Sequence, residues 1–197
     1  MTVLLSTTYF GPIQWYQKLY RADHVLIEHH ESFQKQTYRN RCMIAAANGP
    51  QALTVPVERE NQRADIRISD HGNWRHQHWN ALQSAYGDSP FFQYYEDDLR
   101  PFFEQRWERL FDFNEAIRQT VCELIDIHPK VTFTTTYDPQ PDVADFREAI
   151  RPKHPAADPQ FQPKPYYQVY QQRHGFLPNL SILDLLFNMG PESVFYL

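Results

Sequence analysis

Three stretches of this 197-residue chain concentrate side chains able to do chemistry. The first runs Gln34-Lys35-Gln36-Thr37-Tyr38-Arg39-Asn40-Arg41. In strand geometry Lys35, Thr37, Arg39 and Arg41 project to one side, because successive side chains alternate. Three cations on one face suit a phosphate or carboxylate, which arginine can grip with two parallel hydrogen bonds. By spacing alone, however, the run reads as a solvated edge strand blunted by charge.

The second stretch, Asp70 to Trp79, carries His71, His76 and His78. On a helix His76 and His78 lie on different faces. A zinc site needs three or four converging ligands, so no metal site is expected. His78 shares a helical face with Trp74, Leu82 and Tyr86. That position suits either a satisfied core histidine or a general base facing a pocket. The third stretch, Asn179 to Asn188, places Ser181, Asp184 and Asn188 on one polar stripe. Asn179 or Ser181 can cap the helix, with Asp184 supporting a Ser181 cap. Its default reading is a solvent face. Cys42 follows Arg41, and a neighbouring cation favours a thiolate. It also opens the apolar half of its segment, which points to a buried, inert thiol. No Gly-x-Ser-x-Gly occurs, and six glycines supply neither a phosphate loop nor a dinucleotide fingerprint.

The elements that must position these residues follow from periodicity. Val3 to Thr7 and Val25 to Glu28 read as strands, with a helix opened by Pro12 between them. Tyr38 to Ala47 and Ala52 to Val57 flank Asn48-Gly49-Pro50-Gln51, the signal of an antiparallel hairpin. Asp65 to Ser69 alternates as a further strand. A helix capped by Gly72 or Asn73 carries His78. Phe91 to Phe103 is helical with a break at Pro101, and Asn114 to Asp126 is a clear amphipathic helix. Val131 to Thr135 is β-branched and extended. Five prolines between 151 and 165 mark a loop, and Leu180 to Phe187 forms a last helix ended by Gly190-Pro191. The expected fold is α/β (α+β): a mixed β-sheet containing an antiparallel hairpin, flanked by helices, in one domain over 1–197.

A net charge of −5 argues against a binder of duplex nucleic acid. No apolar run approaches the ~20 residues of a membrane span. Met1 to Phe10 lacks the pattern of a signal peptide, and two cysteines fit a reduced, cytoplasmic protein.

The chain resembles the bacterial WbqC-like family over nearly its whole length. The resemblance lies in Tyr9 to Tyr16, Lys35 to Arg41, Asp65 to Ser69, Trp74 with His78, and Leu180 to Asn188. It implies an enzyme of cell-surface polysaccharide or amino-sugar synthesis that transfers an acyl or aminoacyl group, glycyl in type, to a sugar amine. Cys42 departs from the family, where an aliphatic residue is expected. The resemblance also tips the three stretches toward one shared site. Lys35, Arg39 and Arg41 would hold an anionic donor or nucleotide-sugar, and Gln14, Tyr38, Asn40, Ser181 and Asn188 would contact substrate. His78 or Asp184 would act as base, with Asp184 paired to His78 or to Arg39 and Arg41. No cofactor is specified. Two other readings stay open: a non-catalytic nucleotide-sugar or partner-binding protein, and a metal-dependent hydrolase using His71, His76 and His78.

Overall fold

A computed structural model of the chain describes residues 1–58 and 65–197. Strand β1 (Thr2–Ser6) is followed by helix α1 (Ile13–Arg21) and strand β2 (His24–Glu28), which pairs parallel with β1. The hairpin β3 (Arg41–Ala46) and β4 (Gly49–Thr54) comes next. Four helices follow: α2 (Trp74–Tyr86), α3 (Phe92–Leu99), α4 (Pro101–Glu104) and α5 (Leu110–Leu124). Strands β5 (Val131–Phe133) and β6 (Ala144–Asp145) return to the first sheet. Helices α6 (Gln171–His174) and α7 (Ile182–Met189) and a 3-10 helix (Gly190–Tyr196) close the chain.

The four parallel strands run in the order β5-β2-β1-β6, and β3-β4 forms a separate antiparallel pair. The fold is therefore α/β with mixed sheets, as the pattern of elements predicts. Central β1 is buried throughout Val3, Leu4 and Leu5, the continuous apolar run that a covered parallel strand requires. Buried apolar side chains join into one cluster that takes in β1, α1, α2, α5 and α7. Trp74, His78, Leu82 and Tyr86 are all buried along α2, so its four-residue repeat is its core face. Among the described residues no helix is long and apolar enough to cross a membrane.

Three local expectations are corrected. The run from Gln34 to Asn40 is loop, and β3 starts only at Arg41. Gln36 has a φ of 62°, a left-handed conformation that no strand contains, so Lys35, Arg39 and Arg41 share no strand face. Lys35 is exposed while Arg39 is buried. The hairpin turn is Ala47-Asn48, because Ala46 pairs with Gly49. Only Gly49 there takes a positive φ, 115°, and Pro50 lies within β4, where a two-stranded hairpin leaves an open edge for a residue without N–H. Asp65 to Ser69 forms single bridges from Ile68 to Val57 and from Arg67 to Arg109, not a continuous strand. Gly190-Pro191 ends α7 but converts the chain to a 3-10 helix. Gly190 has a φ of 56°, and a Cβ there would meet the Phe91 ring at 2.6 Å.

Candidate functional site

In an open parallel sheet, ligand sites form beyond the carboxyl ends of the strands, where the strand order reverses. Here the chain leaves β1 for β2 on one side and returns at the end to β6 on the other. A cleft of about 360 Å³ lies there, lined by the end of β1 and its loop (Leu5, Ser6, Thr7, Thr8) and by Asp145 to Glu148. His30, Glu31 and Ser32, which follow β2, form another wall.

The polar run reaches this cleft through a loop contact. Tyr9 N–H donates to the Tyr38 carbonyl at 2.8 Å, fastening residues 34–40 to the β1–α1 loop. Asn114 Nδ2 donates to the Arg39 carbonyl at 2.8 Å, and Asn40 and Val55 exchange bonds of 2.9 and 2.7 Å. Tyr38 and Arg39 thereby line the cleft beside Gln34 and Thr37. Gly11 permits the tight loop, since a Cβ there would sit 2.4 Å from Thr8 Oγ1.

The cleft holds three guanidiniums in different states. Arg147 is engaged on every nitrogen: Nη1 to Glu28 at 3.1 Å, Nε and Nη2 to Asp145, and Nη2 to the Asp138 carbonyl at 2.8 Å. Arg151 is paired with Glu148. Arg39 donates from Nη1 to the carbonyls of Glu31 and Ser32 at 3.4 and 3.2 Å. Its Nε lies 3.7 Å from Glu31 Oε1, beyond hydrogen-bond reach, and has no partner among the described residues. Burial raises the Glu31 carboxyl above the usual range against the opposing charge of Arg39, and burial lowers Arg39. A half-buried carboxylate with raised affinity for a proton, paired with a guanidinium in the same wall, can exchange a proton and hold an anion.

The other residues singled out from the sequence lie outside the cleft lining. Asp184 is fully buried, with Oδ1 accepting from Tyr86 Oη at 2.8 Å. Its Oδ2 accepts from Tyr166 Oη at 2.6 Å and Gln168 Nε2 at 2.9 Å. The pairing expected with His78, Arg39 or Arg41 is therefore not formed; two phenols and an amide take those oxygens. Asn188 Nδ2 donates to the Asp184 carbonyl, and Ser181 caps α7 by accepting from Leu183 N–H while donating to the Phe10 carbonyl. The polar stripe of α7 is thus internal, not a solvent face. Gln14 bonds Asp158 and Asn179, and Arg41 donates to Thr54 Oγ1. His71 and His76 are exposed and His78 is buried. Among the described residues no group of three His, Cys, Asp or Glu side chains is placed to hold a metal ion. Burial pushes the Cys42 thiol up to about 12, which suits an inert thiol.

His78 hydrogen-bonds Tyr9 Oη through Nδ1 at 2.8 Å and packs edge-on against Trp74. Burial lowers its pKa to about 4, against a hydrogen bond with the Thr54 backbone that raises it. The unfolded chain binds this proton below its ordinary value of 6.5, whereas the folded imidazole resists it until about 4. Stability is lost as pH falls through that window, by roughly 3 kcal/mol from this group. Urea unfolding of the wild type and of His78→Gln at pH 7.5 and 4.5 measures it: the wild type is expected to lose more stability on acidification. Equal losses would refute the assignment.

Glu28, Glu31, Arg147 and the Lys18–Asp158 pair escaped the reading of the sequence. Lys18 Nζ meets Asp158 at 2.7 Å with both side chains under 5 % exposed, and it lies 4.3 Å from the Phe146 ring centre. One signal was available: Glu28 and Glu31 end and follow a strand, where sheet-end chemistry gathers.

The fold defines an α/β protein with a polar cleft at the carboxyl edge of its parallel sheet. A model of the WbqC-like protein family matches residues 7–151 and 153–196, and the chain belongs to that family. It is similar to the uncharacterized protein Rv1507c of Mycobacterium tuberculosis, at 27% identity over 207 residues covering 89% of this chain and 88% of that protein. No solved structure matches it.

Proposed function

We propose that the protein is an enzyme of cell-surface polysaccharide or amino-sugar synthesis that acylates a sugar amine, with the cleft as its site. The observation that supports this is the Glu31 carboxyl beside Arg39 at the strand ends. Glu31 accepts the proton of the attacking amine, whose nitrogen forms the new bond to the acyl carbon. The bond from that carbon to the leaving group breaks, and the leaving group departs with its electron pair. Arg39 holds an anionic group of a reactant, and Tyr38 lines the same wall. His78, Asp184, Gln14, Asn40, Ser181 and Asn188 act here through the fold, while Lys35 and Arg41 lie outside the cleft wall.

The test is incubation of the purified protein with glucosamine and the acetyl and glycyl thioesters of N-acetylcysteamine, with mass spectrometry of the sugar. An amide on the sugar nitrogen is expected, and Glu31→Gln slows its formation by about 10²-fold or more. Absence of any acylated sugar with the wild-type protein would overturn the transferase and favour a binding protein.

A further inference from the structure

The charges of the cleft do not suit a polyanion. Counting Glu28 beneath it, four carboxylates (Glu28, Glu31, Asp145, Glu148) stand against three guanidiniums (Arg39, Arg147, Arg151). Arg147 and Arg151 are occupied by those carboxylates. A nucleoside diphosphate would add several negative charges with one incompletely bonded arginine to meet them. Arg39 and Glu31 present a different demand. They form an ion pair at 3.7 Å with no hydrogen bond between Arg39 Nε and Glu31 Oε1, and among the described residues Glu31 Oε2 accepts from the Ser6 hydroxyl at 3.0 Å. Arg39 and Glu31 both line the cleft, and a ligand that binds both there must carry a cation and an anion on adjacent atoms of its own frame.

We propose that the acceptor is a 2-amino sugar 1-phosphate, whose ammonium and phosphate sit on neighbouring carbons and engage Glu31 and Arg39 together. This rests on the reading of the cleft as the site of amine acylation, and it names the acceptor. The remaining wall matches a sugar. Tyr38 and Tyr137 offer ring faces for the C–H side of a pyranose. The volume of about 360 Å³ is at the small end of ligand sites and suits one ring with its phosphate. An amino acid would supply the adjacent charges but leave the aromatic wall unused.

Titration calorimetry of the native protein with five probes tests this: glucosamine 1-phosphate, glucosamine 6-phosphate, N-acetylglucosamine 1-phosphate, glycine and uridine diphosphate glucosamine. Glucosamine 1-phosphate is expected to bind at least about tenfold more tightly than each of the others. Glu31→Gln and Arg39→Ala each weaken it by about tenfold or more, and Arg39→Lys recovers part of the loss. Equal binding of the 6-phosphate or glycine would overturn the requirement for adjacent charges on a sugar. Equal binding of the diphosphate would overturn the size and charge argument. Binding of none of the five would overturn the acceptor assignment outright. The acylation assay with unphosphorylated glucosamine reads separately, so it can succeed where this fails. The wild-type ligand series decides the matter even if a substitution at buried Arg39 impairs folding.

Discussion

Replacing Asp184 by alanine is expected to destabilise the protein by about 3–5 kcal/mol. The carboxylate is fully buried on α7 and receives three donors, from Tyr86, Tyr166 and Gln168. Removing it leaves those donors facing a cavity. Tyr86 can still accept from Ala45 N–H at 3.2 Å, but among the described residues its own proton has no other recipient. Asp184→Asn loses less, about 1–3 kcal/mol, because its amide nitrogen must face donors on one side. Burial raises the Asp184 carboxyl above its ordinary value, outweighing the three hydrogen bonds that lower it. As pH rises past the ordinary carboxylate range, the unfolded chain releases this proton first, so this group's contribution to stability declines toward neutrality. Urea unfolding followed by tryptophan fluorescence measures all three proteins. An alanine variant within about 1 kcal/mol of the parent would contradict the role as a structural pin. The resemblance implies a base at His78 or Asp184; the geometry places the cost of losing Asp184 on the fold.

Arg147→Ala is expected to cost a similar amount, about 3–5 kcal/mol. The side chain is 7 % exposed and meets Glu28, which is 1 % exposed at the end of β2, and Asp145 at the end of β6, with β1 between the two strands. Its loss leaves Glu28 buried with only Thr134 Oγ1 and His30 N–H as donors among the described residues. Lysine restores a charge but not the fork that spans both carboxylates and the Asp138 carbonyl, so Arg147→Lys recovers only part of the loss. Denaturant midpoints give the result, with the calorimetric binding of glucosamine 1-phosphate as a second readout. Undiminished stability and binding in Arg147→Ala would show that the wall stands without it.

The sheet and helices were legible because their signals are local. The apolar run of β1, the four-residue repeat of α2 and the stripe of α5 each predict a face within one element. Gln34 to Asn40 misled for a physical reason: polar residues in alternation look like an edge strand, and nothing local reveals the left-handed Gln36. The α7 stripe misled in the opposite direction. Ser181, Asp184 and Asn188 have the spacing of a solvent face, yet donors from α2 and from residues 166–168 make that face internal. Such partners lie far away in sequence and leave no periodic trace. Glu31 and Arg39 are eight residues apart, but their meeting depends on the Tyr9 to Tyr38 bond.

Strand β6 is only two residues long and pairs at Val3–Ala144 and Leu4–Asp145. So short a ladder has little cooperativity of its own. What keeps it in register is side-chain ionic chemistry: Arg147 clamps it to β2, and Lys18 sits between Phe146 and Asp158 of the proline-rich segment. The cleft wall and that segment therefore share one buried ammonium, and opening one loosens the other. Amides of this region, Phe146 bonded to Leu4 and Ala156 bonded to Glu148 among them, then form a single cooperative unit with low opening energy at the margin of a rigid sheet. A ligand that closes the gap between Glu31 and Arg39 would act on that unit as a keystone acts on an unfinished arch, so that occupancy of the cleft and solvent exchange of its outer wall become two measures of one equilibrium.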